Sequence, residues 1–168
     1  MEEKIDRNPK QLSIVSQEKF ELAQYFIKCH IASREGLKKL GILRTERDLK
    51  ADYTEWLATE MMGLKLMPSA VHKAYDAVDK NGKTYQIKSR LVKSLNDNTS
   101  FDLQSIDPHF DYLVGVFLSH SFDLLAIIQV PYEVVKELGT QTKSKFRFRW
   151  NKQVSQDPRI KWIWKGDK

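Results

Sequence analysis

Apolar residues first recur at helical spacing from about Ser16, where Phe20, Ala23, Ile27 and Ile31 form one stripe and Leu22, Phe26 and Cys29 widen it. Ser13 or Ser16 supplies a cap, and Gly36 and Gly41 bracket the end. A helix apolar over this much of its circumference is expected to be substantially buried, with Cys29 a structural thiol inside it. A second helix is predicted over 46–62, stopped by Gly63, with a stripe of Leu49, Tyr53, Trp56, Leu57 and Leu64. At about 100° per residue, Glu55 projects from the side opposite that stripe, among Ala58, Thr59 and Met62. Glu60 falls inside the stripe, as a partly buried carboxylate or a sign that both faces are covered.

The period changes after Pro68. Strand-like runs at 71–79 and 83–92 flank Lys80-Asn81-Gly82, a hairpin signal. A short strand at 100–104, the continuously apolar run 112–118 and its echo at 122–130 follow, the apolar runs having the character of buried strands. Pro131 suits a helix start, 132–138 supplies that helix, and Gly139 ends it. The runs 145–150 and 162–164 read as closing strands. In 145–150, aromatic residues turned to the core and basic ones to water is the favoured reading, leaving the arginines able to touch DNA. The expected fold is α/β (α+β), one mixed sheet flanked by helices. A loose arm, 1–15, precedes a single domain, 16–168, comprising N-terminal helices (16–63), a hairpin and sheet core (68–139) and short C-terminal strands (145–168).

Composition narrows the partner. Lys and Arg number 28 against 22 Asp and Glu, a net charge of +6, which favours a polyanion. A single cysteine excludes an intramolecular disulfide and a cysteine zinc site. The four histidines show no metal spacing, and no glycine-rich phosphate loop occurs. The charged N-terminus lacks the apolar run of a signal peptide and no stretch approaches a membrane span, so the expected location is cytoplasmic, away from membranes.

The candidate chemistry lies in the hairpin. Strand alternation puts Gln86, Lys88 and Arg90 on one face and Tyr85, Ile87 and Leu91 on the other. A lysine facing a sealed core is costly, so this polar face needs solvent or a task. Phosphodiester hydrolysis supplies one, since acidic oxygens hold Mg²⁺ and a fixed cation stands by the nucleophile and phosphate. Asp76 can hold the metal, the Gln86 side-chain oxygen and the Ile87 backbone carbonyl can complete the cage, and Lys88 can orient water. Glu55 adds a second carboxylate. The site requires Asp76 to share a face with Gln86. A two-residue turn at Asn81-Gly82 would set Asp76 opposite Ile87, whereas a three-residue loop with Gly82 left-handed sets it opposite Gln86. The three-residue loop is therefore expected.

Glu55 in Asp52-Tyr53-Thr54-Glu55-Trp56-Leu57-Ala58, Asp76 in Tyr75-Asp76-Ala77-Val78, and Gln86-Ile87-Lys88 together resemble the PD-(D/E)XK nuclease superfamily, and Phe110-Asp111-Tyr112-Leu113-Val114 resembles the buried strand that follows the motif. The resemblance spans roughly residues 50 to 131. It implies a restriction-endonuclease-like fold, with metal bound by Glu55 and Asp76, assistance from Gln86 in the third acidic position, and catalysis by Lys88. Gln86 offers an oxygen without charge, so metal affinity is expected to be weaker than with a third carboxylate.

The resulting expectation is a Mg²⁺-dependent DNA endonuclease, with Mn²⁺ able to substitute. Arg90, Lys93 and Arg44 are candidates for phosphate contacts, and a two-fold homodimer would suit cutting both strands. The alternative is a nucleic-acid-binding module on the same scaffold with catalysis weakened or lost; a third reading is an interaction protein whose basic surface is incidental.

Overall fold

The computed structural model describes residues 14–45, 48–68 and 74–167, with side chains described from Glu18. The chain divides into two compact units, Met1–Arg44 and Thr45–Lys168, so the first predicted helix separates from the rest of the expected single domain.

The N-terminal unit is built on α1 (Ile14–Lys39), which begins before Ser16 and runs through Gly36; the turn beyond it holds Gly41 with φ +72. The alternative cap, Ser13, lies outside the described residues. The expectation of burial is not met. Phe20, Leu22, Tyr25, Phe26, Ile27 and Ile31 are each more than half exposed, and Cys29 is exposed rather than a buried thiol. Apolar circumference states a demand for cover; it does not identify what supplies it.

The second unit opens with α2 (Leu49–Met62), shorter than expected because Asp48 caps it by accepting from the Ala51 N–H at 3.1 Å; residues 46 and 47 lie outside the described residues. Gly63 ends it in the left-handed region, φ 65, as the sequence implies. β1 (Lys65–Leu66), absent from the sequence reading, pairs with β2 (Ala77–Val78), the described part of the strand expected over 71–79. β3 (Thr84–Leu91), β4 (Thr99–Leu103), β5 (Tyr112–Leu118), β6 (Leu124–Pro131), α3 (Tyr132–Leu138), β7 (Thr140–Gln141), β8 (Phe146–Trp150) and β9 (Lys161–Lys165) follow. All but β7 lie where the apolar runs put them.

The strands form two sheets instead of one. A six-stranded sheet has the order β1-β2-β3-β5-β6-β9, with β3 and β5 parallel and the other pairs antiparallel. A three-stranded sheet has the order β4-β8-β7. The second sheet forms because β8 alternates strictly: Phe146, Phe148 and Trp150 are buried while Arg147 and Arg149 face outward, as the alternation predicts. The fold is a mixed α+β arrangement. α2 covers one face of the large sheet, where Ala58 packs with Ala77, Tyr85, Ile87, Val114, Val116, Leu118 and Ile127. The small sheet and α3 cover the other face through Phe101, Leu103, Phe148 and Trp150 against Leu113, Phe117, Ile128 and Val130. β5, wholly apolar, is buried from Leu113 to Leu118.

Among the described residues, no helix is long and apolar enough to cross a membrane.

Candidate active site

The hairpin sets the register on which the site depends. Asp79 N–H donates to the Lys83 carbonyl at 3.0 Å and Gly82 N–H to the Asp79 carbonyl at 3.1 Å, closing a loop of Lys80, Asn81 and Gly82. Gly82 has φ +80, open to glycine at little cost. The Asp79 carboxylate stiffens the turn by accepting from the Asn81 and Lys83 N–H groups at 2.8 and 2.9 Å and from the Tyr85 hydroxyl at 3.2 Å. Desolvation pushes its pKa up, but those bonds outweigh it and leave the carboxyl lowered. Burial, then Asp79, pushes the Tyr85 phenol up to about 12. The loop pairs Ala77 with Tyr85, which carried one step further sets Asp76 level with Gln86, the three-residue alternative.

β2 leaves the ladder at this step, and Asp76 is held from four directions. Its N–H donates to the Tyr85 carbonyl and its carbonyl accepts from the Met67 N–H, both at 2.8 Å. Its Oδ2 accepts from the Ile87 N–H and from Gln86 Nε2, both at 2.7 Å. The Ile87 N–H points to the edge that β2 has vacated, and in a pleated strand the carbonyl of the same residue points to that edge too.

Glu55 arrives from α2. The fully buried residues of α2 are Asp52, Thr54, Ala58 and Thr59, while Tyr53 and Leu57 of the apolar stripe are partly buried and pack against the same core, so the small and polar side is the more deeply covered. Small side chains let the helix lie close to β3, and their hydroxyls are satisfied locally: Thr54 donates to the Lys50 carbonyl at 2.8 Å and Thr59 to that of Trp56 at 2.8 Å. Asp52 accepts from the Thr45 N–H and hydroxyl at 2.6 and 3.0 Å. At about 100° per residue, Glu55 lies near the middle of this buried arc. Glu60 is exposed, which removes the first of its two readings, a partly buried carboxylate.

Glu55, Asp76, Ile87 and Lys88 line one cleft of about 270 Å³. Its walls are the first turns of α2 on one side and Phe101, Asp102 and Lys145 on the other, with Ser89 and Arg90 continuing the floor. Lys88 also borders an adjoining cleft of about 220 Å³ that holds Gln86, Gln104, Ser105 and Asp107. Lys88 is half-buried and has no hydrogen-bond or ion-pair partner among the described residues. Gly115, directly across from Lys88 on β5, makes room beside it: a Cβ there would come within 2.8 Å of the Phe101 ring and 2.9 Å of Ile128.

The candidate phosphate contacts fare differently. Arg90 reaches the cleft, but its Nε donates to the Ser100 carbonyl and its guanidinium lies 3.8 Å from Asp102. Asp102 also holds Arg147, through bonds of 2.8 and 3.1 Å, and lies 4.0 Å from Lys145. The Arg147 bond holds the Asp102 carboxyl below its ordinary range against the opposing effect of burial, with Arg90 and Lys145 adding to the fall. Lys93 is exposed and lines a different depression, with Asp97 and His120. Arg44 is exposed and belongs to the N-terminal unit. His72, whose favoured reading from the sequence is an exposed residue at a strand end, lies outside the described residues.

Sequence reasoning missed Asp102 and Lys145 as cleft residues, because strand pairing across 45 positions carries no local signal. It also gave no role to Asp111, which ties the starts of β3 and β5 together. One oxygen accepts from the Thr84 N–H and hydroxyl at 2.9 Å each, the other from Lys83 Nζ at 3.1 Å. The Thr84 N–H is the main cause of its lowered pKa.

Hard oxygen donors with few protein ligands are the chemistry of Mg²⁺, which keeps several waters. Glu55, Asp76 and the Ile87 carbonyl provide that kind of set. Gln86 is turned the other way, offering its N–H₂ to Asp76, and would present oxygen only after a half-turn of its amide. Among the described residues no three His, Cys, Asp or Glu side chains form a metal-holding group. No protein-family model matches the chain, and no curated protein is significantly similar to it.

Proposed function

We propose that this protein is a Mg²⁺-dependent DNA endonuclease of the PD-(D/E)XK type, with a restriction-endonuclease-like core formed by α2, β1, β2, β3 and β5. The observation that carries this reading is the convergence of Glu55, Asp76, Ile87 and Lys88, from three separate elements, on one cleft. Cytoplasmic location and action as a two-fold homodimer belong to the same proposal.

Glu55, Asp76 and the Ile87 carbonyl would hold Mg²⁺, which when bound supplies activation of water and neutralisation of charge at a phosphodiester. The chain's own residues do the rest. The Ile87 N–H and the Gln86 amide fix the Asp76 carboxylate in place. Lys88 directs an uncommitted positive charge into the cleft, where it stabilises negative charge developing on the phosphate and orients the attacking water. Arg90 and Lys145, gathered by Asp102, carry positive charge along the same wall toward flanking phosphates. Charge at this wall and +6 overall favour a polyanionic substrate.

The test is nicking of supercoiled plasmid with Mg²⁺ or Mn²⁺ by the wild type and by Asp76→Asn. Metal-dependent nicking that drops by at least about 100-fold in the variant is expected; equal nicking by both proteins would overturn the assignment. A second reading, DNA binding with catalysis weakened or lost, is favoured by the orientation of Gln86, whose amide brings no charge to the metal. It is distinguished by retained, salt-sensitive DNA binding with no cutting under either metal.

A further inference from the structure

Gln86 lies between the two clefts, and Asp76 decides which way its amide is turned. A carboxylate only accepts, so the end of the Gln86 amide that faces it is Nε2, which donates to Asp76 Oδ2 at 2.7 Å. The same oxygen takes the Ile87 N–H, also at 2.7 Å. Turning the amide over would set two oxygens against each other and leave both short of a proton, so the half-turn that metal binding by Gln86 requires is opposed while Asp76 is ionised. The Gln86 amide oxygen is thereby left pointing away from Asp76, and it accepts nothing among the described residues. Accordingly, Gln86 borders the cleft of about 220 Å³ and not the one that Glu55 and Asp76 line.

That smaller cleft has a chemistry of its own. Leu103, Pro108 and Phe110 give it apolar walls, and its polar groups are mainly acceptors. The Asp107 carboxylate is fixed by the Tyr132 hydroxyl, from which it accepts at 3.3 Å, while the Asp107 N–H donates to Ser105 Oγ at 3.1 Å. Gln104 is exposed, has no hydrogen-bond partner among the described residues, and offers both an oxygen and an N–H₂. Among the described lining residues the only cation is Lys88, at the boundary with the active-site cleft. Apolar walls with a few convergent polar groups suit a flat ring. Acceptors at the polar edge turn away a phosphate and call for N–H donors.

We propose that this cleft takes the base of a nucleotide next to the scissile phosphate, and that Gln86 and Gln104 read the exocyclic amino group of adenine or cytosine. The placement rests on the nuclease reading, which sets the phosphate at Lys88. Gln86 is then a specificity residue with two ends: its N–H₂ positions Asp76 and its oxygen faces substrate. Adenine and cytosine present an amino donor on the major-groove edge, where guanine and thymine present only acceptors. A guanine or thymine in the cleft would therefore leave the Gln86 oxygen and the Asp107 carboxylate without donors.

The test uses the full chain and a pool of short randomised DNA, sequenced once after binding in EDTA and once at the ends produced with Mg²⁺ or Mn²⁺. Adenine or cytosine is expected over guanine and thymine by about 10-fold at one position beside the cut. Gln86→Leu and Gln104→Ala should each bring that ratio down to about 3-fold or less. Gln86→Leu also slows cutting of every substrate, because Asp76 loses a donor. A residue that only held Asp76 would slow all four bases equally and leave the ratio intact. Gln104→Ala, at an exposed position outside β3, keeps the proposal open to refutation if Gln86→Leu does not fold. Cutting with no base preference beside the cut, or a preference that survives both substitutions, overturns the base-reading cleft and leaves the nuclease standing. A Gln104-dependent preference in binding with no cutting under either metal overturns the nuclease and leaves the cleft. A protein that binds no DNA overturns both.

Discussion

The two faces of β3 are built from one run of eight residues and meet opposite fates. Tyr85 and Ile87 turn toward α2 and are sealed at 7% and 4% exposure by small side chains of the helix and by Ala77. Gln86, Lys88 and Arg90 turn toward the small sheet, where aromatic packing begins further along and leaves polar space. The sealed face fixes the backbone, and the fixed backbone aims the Ile87 N–H at Asp76 and Lys88 into the cleft. Neighbouring residues of one strand thus divide the work, one holding position and the next supplying charge.

Substituting the neighbours separately tests that division. Lys88→Ala is expected to lower metal-dependent cleavage by about 10²–10³-fold, the scale for removing one electrostatic contact to a transition state. Its thermal midpoint should stay near wild type, because Lys88 has no partner among the described residues whose loss would cost stability. A large drop in midpoint would show Lys88 to be a structural residue. Ile87→Ala should do the reverse, lowering unfolding free energy in urea by about 3 kcal/mol through lost burial and the cavity left behind. Its remaining folded fraction should still bind DNA. If Ile87→Ala unfolds no more easily than Lys88→Ala, the two faces are not divided as described.

Gly115 sharpens the same contrast from the neighbouring strand. It lies level with Lys88, and the Phe101 ring occupies the space its missing side chain leaves. Gly115→Ala forces the ring or Ile128 to move by several tenths of an ångström, with an expected loss of about 1–3 kcal/mol. Because Phe101 also lines the cleft, cleavage should fall with it. Urea unfolding and plasmid nicking on the same preparation check both; a variant as stable as wild type would show that the close approach is not packing-limited.

Local chemistry made most of these features legible. Gly82 between two strand-like runs determined the loop, hence the register of Asp76 with Gln86, and β3, β5 and α3 follow from uninterrupted apolar runs and their punctuation. The failures share a cause. Which side of α2 is buried most deeply depends on what it packs against: Thr54, Ala58 and Thr59 are buried at the contact, with Tyr53 and Leu57 packing partly against the same core. The stripe of largest residues therefore does not mark the most deeply buried side, and Glu55 lies among the smaller residues that do. The exposure of α1 is the same lesson, since a sequence states how apolar a helix is and not which surface covers it. Asp102 was invisible because Arg147 reaches it only through the pairing of β4 with β8 in the second sheet, and Arg90 comes from β3 of the large sheet.

That carboxylate carries the smallest and most specific test. Asp102→Asn keeps the shape of the side chain but removes the charge that binds Arg147 and draws in Arg90 and Lys145. Since the pair is partly open to solvent, the expected loss is about 1 kcal/mol at neutral pH. The folded carboxyl is more acidic than the unfolded one, whose ordinary pKa is about 3.9. The increment is therefore fully present above about pH 4 and is lost as pH falls through the depressed folded value. Urea unfolding of both proteins should show a gap at pH 7 that narrows on acidification below about pH 4, because only the wild type loses the interaction. Other carboxylates, including Asp157, held down to about 2 by Arg159, titrate alike in both chains and cancel from the difference. A gap that stays constant to low pH would mean that shape, not charge, makes Asp102 the organiser of that wall, and Arg90 would then be positioned by the Ser100 carbonyl alone.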